Sequence, residues 1–126
     1  MIKHVLYGVV SVAILALTAC ATSTSLYYWG DYSQSAYELK HEPSEKTARA
    51  HKDALLDIID NAARKNKKIP PGIYAELAKM AFEANNLVGG RALLEQEKAL
   101  FPESARMVEV WLELMDKKGA VNEATG

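Results

Sequence analysis

Cys20 is the only thiol in the 126-residue chain, and it directly follows Leu17-Thr18-Ala19 at the end of an apolar run from Val5 to Leu17. A lone thiol closes no internal disulfide, and a disulfide-stapled secreted domain needs cysteines in pairs. The other groups able to do chemistry are scattered. His4 lies in the leader, His41 at a helix end, and His51 in mid-helix with no ligand-type residue four positions on, so the spacing of a metal site is missing. Glu95 and Glu97 fall on different sides of one helix, and Glu109 with Glu113 is a like-charged i,i+4 pair that reads as a wet face. No nucleophile is spaced with a base and no carboxylate pair is set for acid–base work. The sequence therefore predicts no catalytic residue, no metal and no cofactor.

The elements around Cys20 give it a different role. Lys3 supplies a positive start, the apolar run follows, and small residues precede Cys20, which is the layout of a secretory signal peptide over residues 1–19. A transmembrane helix needs about 20 apolar residues; this run stops sooner, at polar Thr22-Ser23-Thr24-Ser25. Leu17-Thr18-Ala19-Cys20 resembles the bacterial lipoprotein box, in which a Leu and two small residues precede the acceptor Cys. That resemblance implies diacylglycerol on Cys20, removal of residues 1–19, and an acylated new amino terminus. Each buried methylene contributes about 0.8 kcal/mol, so two or three chains anchor a protein durably where one does not. Ala21, standing where an Asp would retain such a protein at the inner membrane, implies an outer-membrane address facing the periplasm.

Residues 20–126 are enough for one domain with a real core. Lys3 is the leader's one formal charge, so 14 of the 15 basic residues remain against 16 acidic ones, a net charge of −2. That balance argues against nucleic acid, whose binding rests on basic patches.

The acylated Cys and a flexible tether occupy residues 20–30, and Leu26-Tyr27-Tyr28-Trp29-Gly30-Asp31-Tyr32 places four aromatics in seven positions. Asp31 or Ser33 is a candidate cap for a first helix to about Lys40, with Tyr32, Ala36, Tyr37 and Leu39 inward; Pro43 ends it. Ser44 caps a second helix to about Lys65, whose buried stripe is Leu55, Ile58, Ile59 and Ala62. The basic run from Arg64 to Lys68 reads as a solvated helix end. Ile69-Pro70-Pro71-Gly72 restarts the chain. A third helix carries Ile73, Tyr74, Leu77, Ala78, Met80, Ala81 and Phe82, apolar on more than one face as between two neighbours. After the turn at Asn85 to Gly90, a fourth helix to Leu100 uses Leu93, Leu94 and Leu100, and Phe101-Pro102 stops it. Ser104 is the candidate cap of a fifth, with Val108, Trp111, Leu112 and Met115 inward; Gly119 closes it, and residues 119–126 form a disordered tail. The expected domain, residues 31–118, is all-α with about five helices.

From Pro71 to Ser104 the chain spans the roughly 34-residue period of the tetratricopeptide repeat. Tyr74, Leu77, Ala78, Gly90, Leu94 and Pro102 take pattern positions, whereas Ala81 and Glu97 depart from it. The expectation is tetratricopeptide-like antiparallel helix pairs with a C-terminal capping helix, against the alternative of a plain bundle. With the lipoprotein box, Tyr28-Trp29-Gly30-Asp31-Tyr32-Ser33, the break from Ile69 to Leu77 and the stretch from Glu95 to Ser104, the chain resembles an uncharacterised family of small Gram-negative lipoproteins known as a domain of unknown function. That family's members tend to be encoded beside a lipoprotein like the curli secretion channel and a second small lipoprotein. The resemblance implies a shared envelope assembly, with those two as partners, and supplies no catalytic residues.

The leading expectation is a non-catalytic adaptor or assembly factor at the outer membrane, since stacked helices bind partners through concave surfaces. Tyr27, Tyr28, Trp29 and Tyr32 are candidate partner contacts, because interfaces favour Tyr and Trp. Two other roles stay open for these rings: core packing, or resting at the lipid headgroups. The rival function is binding of a cell-wall fragment or small ligand in a pocket lined by Tyr74, Phe82 and Trp111.

Overall fold

The computed structural model describes residues 1–4 and 25–126. Residues 17–20, which carry the expected lipidation site and its recognition sequence, and most of the expected signal peptide lie outside them. Five α-helices follow one another from residue 32: α1 (Tyr32–His41), α2 (Glu45–Asn61), α3 (Ile73–Glu83), α4 (Leu87–Leu100) and α5 (Ala105–Thr125). Among the described residues there is no strand, only one isolated parallel bridge between Tyr27 and Lys68. None of the described helices is long and apolar enough to cross a membrane.

Three-residue turns join α1 to α2 and α3 to α4, which makes each pair antiparallel neighbours. Ser44 caps α2 as its sequence predicts: its Oγ accepts the Thr47 amide, and Thr47 Oγ1 in turn accepts the Ser44 amide. Asn86 starts α4 by accepting the Gly89 amide at 2.9 Å, three residues earlier than the glycine-rich sequence suggests. Two predicted caps are absent. Asp31 makes no side-chain cap bond, and Ser104 Oγ is buried without a partner, leaving a 3-10 turn over Pro102–Ser104 to lead into α5. α2 stops at Asn61 rather than Lys65, giving way to a 3-10 turn over Ala63–Lys65 and then to Asn66 in the left-handed region.

α3 is sandwiched, as its two apolar faces predict. Ile73 and Leu77 join Leu55 and Ile58 of α2 in one buried cluster, while Ala78 and Phe82 join Leu94 of α4 and Val108 of α5 in another. Gly90 is where α3 and α4 touch: a Cβ there would collide with the Phe82 ring. Trp111, Leu112 and Met115 pack onto the second cluster as their spacing predicts, and Arg91 of α4 pairs with Asp116 of α5.

Other residues fall differently from the helical pattern. Tyr37 is exposed, stacked on His41 with centroids 4.1 Å apart, and the buried residue of α1 is Ser35. Leu100 is exposed as well. The disordered tail expected at residues 119–126 is helical instead, since α5 runs through Gly119 to Thr125. A glycine inside a helix costs only about 1 kcal/mol against Ala, and residues Ala120 to Thr125 include no proline to stop the propagation.

Candidate functional site

The four aromatics of the N-terminal cluster separate. Tyr28 and Tyr32 pack on the Leu55–Ile58 cluster. The Tyr28 hydroxyl donates to Asp57 Oδ2 at 3.0 Å, a bond that raises its pKa, and Asn61 holds the other Asp57 oxygen at 2.6 Å. Gly30, at φ +44°, turns the chain between Tyr28 and α1 close over that carboxylate. Trp29 stays 41% exposed, tilted over Tyr32 at 5.2 Å and edge-on to Tyr27 at 6.5 Å. Of the four, Trp29 is the most exposed, and Tyr27, Tyr28 and Tyr32 are half-buried.

Tyr32 leads into a partly buried polar chain. Its hydroxyl donates to Glu76 Oε1 at 2.7 Å; Glu76 Oε2 meets His51 Nε2 at 3.0 Å; His51 Nδ1 lies 2.8 Å from Ser35 Oγ, which also donates to the Tyr32 carbonyl at 3.1 Å. Burial, followed by the bond to Glu76 and its charge, pushes the Tyr32 phenol up to about 12. The order Ser–His–Glu has the composition of a nucleophilic triad. Ser35 is 6% exposed and His51 4%, and the Ser35 hydroxyl is committed to a backbone carbonyl, while His51 and Glu76 line a cavity of about 250 Å³ beside α1. What this arrangement does is bind α1 to α2 and α3.

Among the described residues no three His, Cys, Asp or Glu side chains converge as metal ligands. Glu97 is 2% exposed, and its Oε1 accepts the Gly72 amide at 2.7 Å. Gly72, at φ +96°, has no side chain to cap α3, so the neighbouring helix supplies the carboxylate at that positive end. This accounts for a glutamate where the repeat pattern has a small residue. The other oxygen, Oε2, is buried without a partner.

The three aromatics expected to line a ligand pocket are placed apart in role. Phe82 is in the core, Trp111 packs against the same cluster, and half-buried Tyr74 has its pKa raised first by burial and then by Asp60 and Glu97. The larger opening lies elsewhere: an open groove of about 750 Å³, lined by Leu39 of α1, Leu56 of α2, Leu77 and Met80 of α3 and Leu93 of α4. Leu56 is 41% exposed there. Glu45, Arg49 and Lys52 border it from α2 and Glu83 from α3, and neither Arg49 nor Lys52 forms an ion pair among the described residues.

Sequence reasoning missed the Ser35–His51–Glu76 chain and the groove. A signal for the first existed: His51, Leu55, Ile58 and Ala62 are all buried and spaced four, three and four, so the histidine stands on the apolar stripe where Lys52, one step round, is exposed. The groove had none, because it is made by four helices meeting.

A family model for a domain of unknown function (DUF4810) matches residues 26–110. No curated protein and no solved structure matches the chain.

Proposed function

The chain belongs to the family of this domain of unknown function, DUF4810, and on that premise we propose that it is a non-catalytic adaptor anchored to a membrane by lipid on Cys20. In this reading residues 1–19 are removed after Leu17-Thr18-Ala19, and the helical domain faces the periplasm from the outer membrane. The partner is a channel-forming envelope lipoprotein of the kind encoded beside similar proteins, together with the second small lipoprotein. The observation that carries the adaptor role is the open apolar groove around Leu56 and Met80, bordered by Arg49 and Lys52. A leucine exposed in an apolar groove whose rim carries Arg49 and Lys52 together with Glu45 and Glu83 suits an amphipathic helical segment with charges of both signs on its rim. Trp29, exposed at the tether end, is a secondary contact in the same reading.

The test is co-purification of the acylated protein with the channel-like lipoprotein when both are expressed together. Leu56→Glu introduces charge at an exposed position, so the melting temperature stays within about 2 °C while capture falls at least about tenfold. Undiminished capture by that variant removes the groove from the function.

A further inference from the structure

The basic loop after α2 is bound to the start of the folded chain in a way that its sequence position hides. The Tyr28 amide donates to the Lys68 carbonyl at 3.0 Å, and the Lys68 amide donates to the Leu26 carbonyl at 3.0 Å. The turn at Asn66, φ 55°, brings the Lys67 amide back onto the Ala62 carbonyl at 2.9 Å. Arg64, Lys65, Lys67 and Lys68 are thereby gathered beside residues 26–28, and none of the four pairs with a carboxylate among the described residues. Asp57, the acid reached by Tyr28, is taken up by that tyrosine and Asn61.

Next to these cations lies an apolar cleft of about 440 Å³, lined by Tyr27, Ile59, Ile69, Leu100 and Phe101, with Lys67 and Lys68 also part of its lining. Leu100 and Leu26 are about half exposed. Apolar surface within reach of unpaired ammonium groups is the chemistry of an interfacial membrane contact, in which aliphatic and aromatic groups meet acyl chains and cations meet phosphates. From Cys20 to Tyr27 the chain spans seven residues, which reach at most about 25 Å when fully extended. A lipid on Cys20 therefore keeps this face within that distance of the bilayer.

We infer that the Arg64–Lys68 loop and the Tyr27–Phe101 cleft form a docking surface for anionic phospholipid headgroups, setting the domain in a fixed orientation on the membrane that carries its anchor. This rests on the lipid-anchor reading of Cys20. The opposite sense of the chain's net charge is no obstacle, since the contact is local: at physiological salt a charge is felt over roughly 8 Å.

The experiment uses the acylated protein reconstituted into vesicles of phosphatidylcholine alone or mixed with phosphatidylglycerol, with lysine acetylation followed by mass spectrometry. In the anionic vesicles Lys65, Lys67 and Lys68 are expected to label about fivefold more slowly than in the neutral ones, with the difference lost at high salt. Lys117 and Lys118, near the far end of α5, serve as controls and label alike in both. Equal labelling of the loop lysines in the two vesicles, or equal protection in both, overturns the inference. Flotation of the protein with both vesicle types, read from the same samples, reports the anchor separately. Protein that floats with both while its loop labels equally retains its anchor and loses only the docking surface. Protein that floats with neither overturns the anchor and the inference with it.

Discussion

The two ends of the domain are fastened to the central helix α3 by different chemistry. Toward the C-terminus, Phe82 lies against Gly90 and packs with Leu94 and Val108, a contact dominated by shape with one added bond from the Gly72 amide to Glu97 of α4. Toward the N-terminus, α1 reaches α2 and α3 through Ser35, His51, Glu76 and Tyr32, a chain of four polar side chains over a small apolar base. The Phe82–Gly90 packing answers chiefly to a change of volume. The second depends on protonation and on every member finding its partner. The polar contact also lies at the tether end, where the chain meets the membrane in the proposed reading, while the apolar one is buttressed by α5.

Breaking the apolar contact has the largest effect. Phe82→Ala removes a ring that is 4% exposed and leaves a cavity over Gly90, for an expected loss of about 3–5 kcal/mol in urea denaturation. A loss under about 1 kcal/mol would mean that the two helices do not rely on this ring. The polar chain comes second. His51→Ala leaves the buried Ser35 hydroxyl and one Glu76 oxygen without their partner, for about 1–3 kcal/mol, and hydrogen exchange should rise across α1 before it rises across α4. Uniform loosening of both helices would show that the two contacts are a single cooperative unit.

Tyr32→Phe sharpens the comparison further. It removes one hydroxyl from Glu76 for about 1 kcal/mol and deletes the tyrosine that titrates at about 12. The sign follows from linkage: a phenol whose folded pKa lies above its ordinary value of 10 contributes stability fully present below pH 10 and lost as pH rises toward 12. The wild-type protein should therefore lose stability across that interval more than the Phe variant, by ultraviolet titration and thermal melting at matched pH. Identical profiles would remove Tyr32 from the clamp. The smallest effect is expected from Ser44→Ala, about 0.5–1 kcal/mol, since it frays the start of α2 without touching either contact.

The apolar contact is also the one that was legible in the sequence. Ile73, Leu77, Ala78 and Phe82 recur at helical spacing on two faces, and Gly90 stands at the closest approach, so sequential order alone places α3 between its neighbours. Ser44 and the proline breaks set most helix starts for equally local reasons. The polar contact joins residues 16 and 25 positions apart, and no local rule pairs a serine of one helix with a histidine of the next. Ser35 and Tyr37 exchange their expected burial because a hydroxyl with two partners is more readily buried than a phenol with none there. Glu97 is similar: its departure from the repeat pattern is visible in sequence, but its partner, the Gly72 amide, exists only once α3 and α4 are packed. The groove belongs to the same class, created by juxtaposition, whereas the basic run Arg64 to Lys68 was visible as one segment and only its apolar neighbours Tyr27, Leu100 and Phe101 were not.

Both surfaces take their meaning from where the chain is held. Intact-mass spectrometry of the protein extracted from membranes tests that most directly. The account requires a chain beginning at Cys20 and carrying the added mass of thioether-linked diacylglycerol, with further acylation at its amino terminus. A processed chain with a free thiol at position 20, or one still carrying residues 1–19, would contradict it.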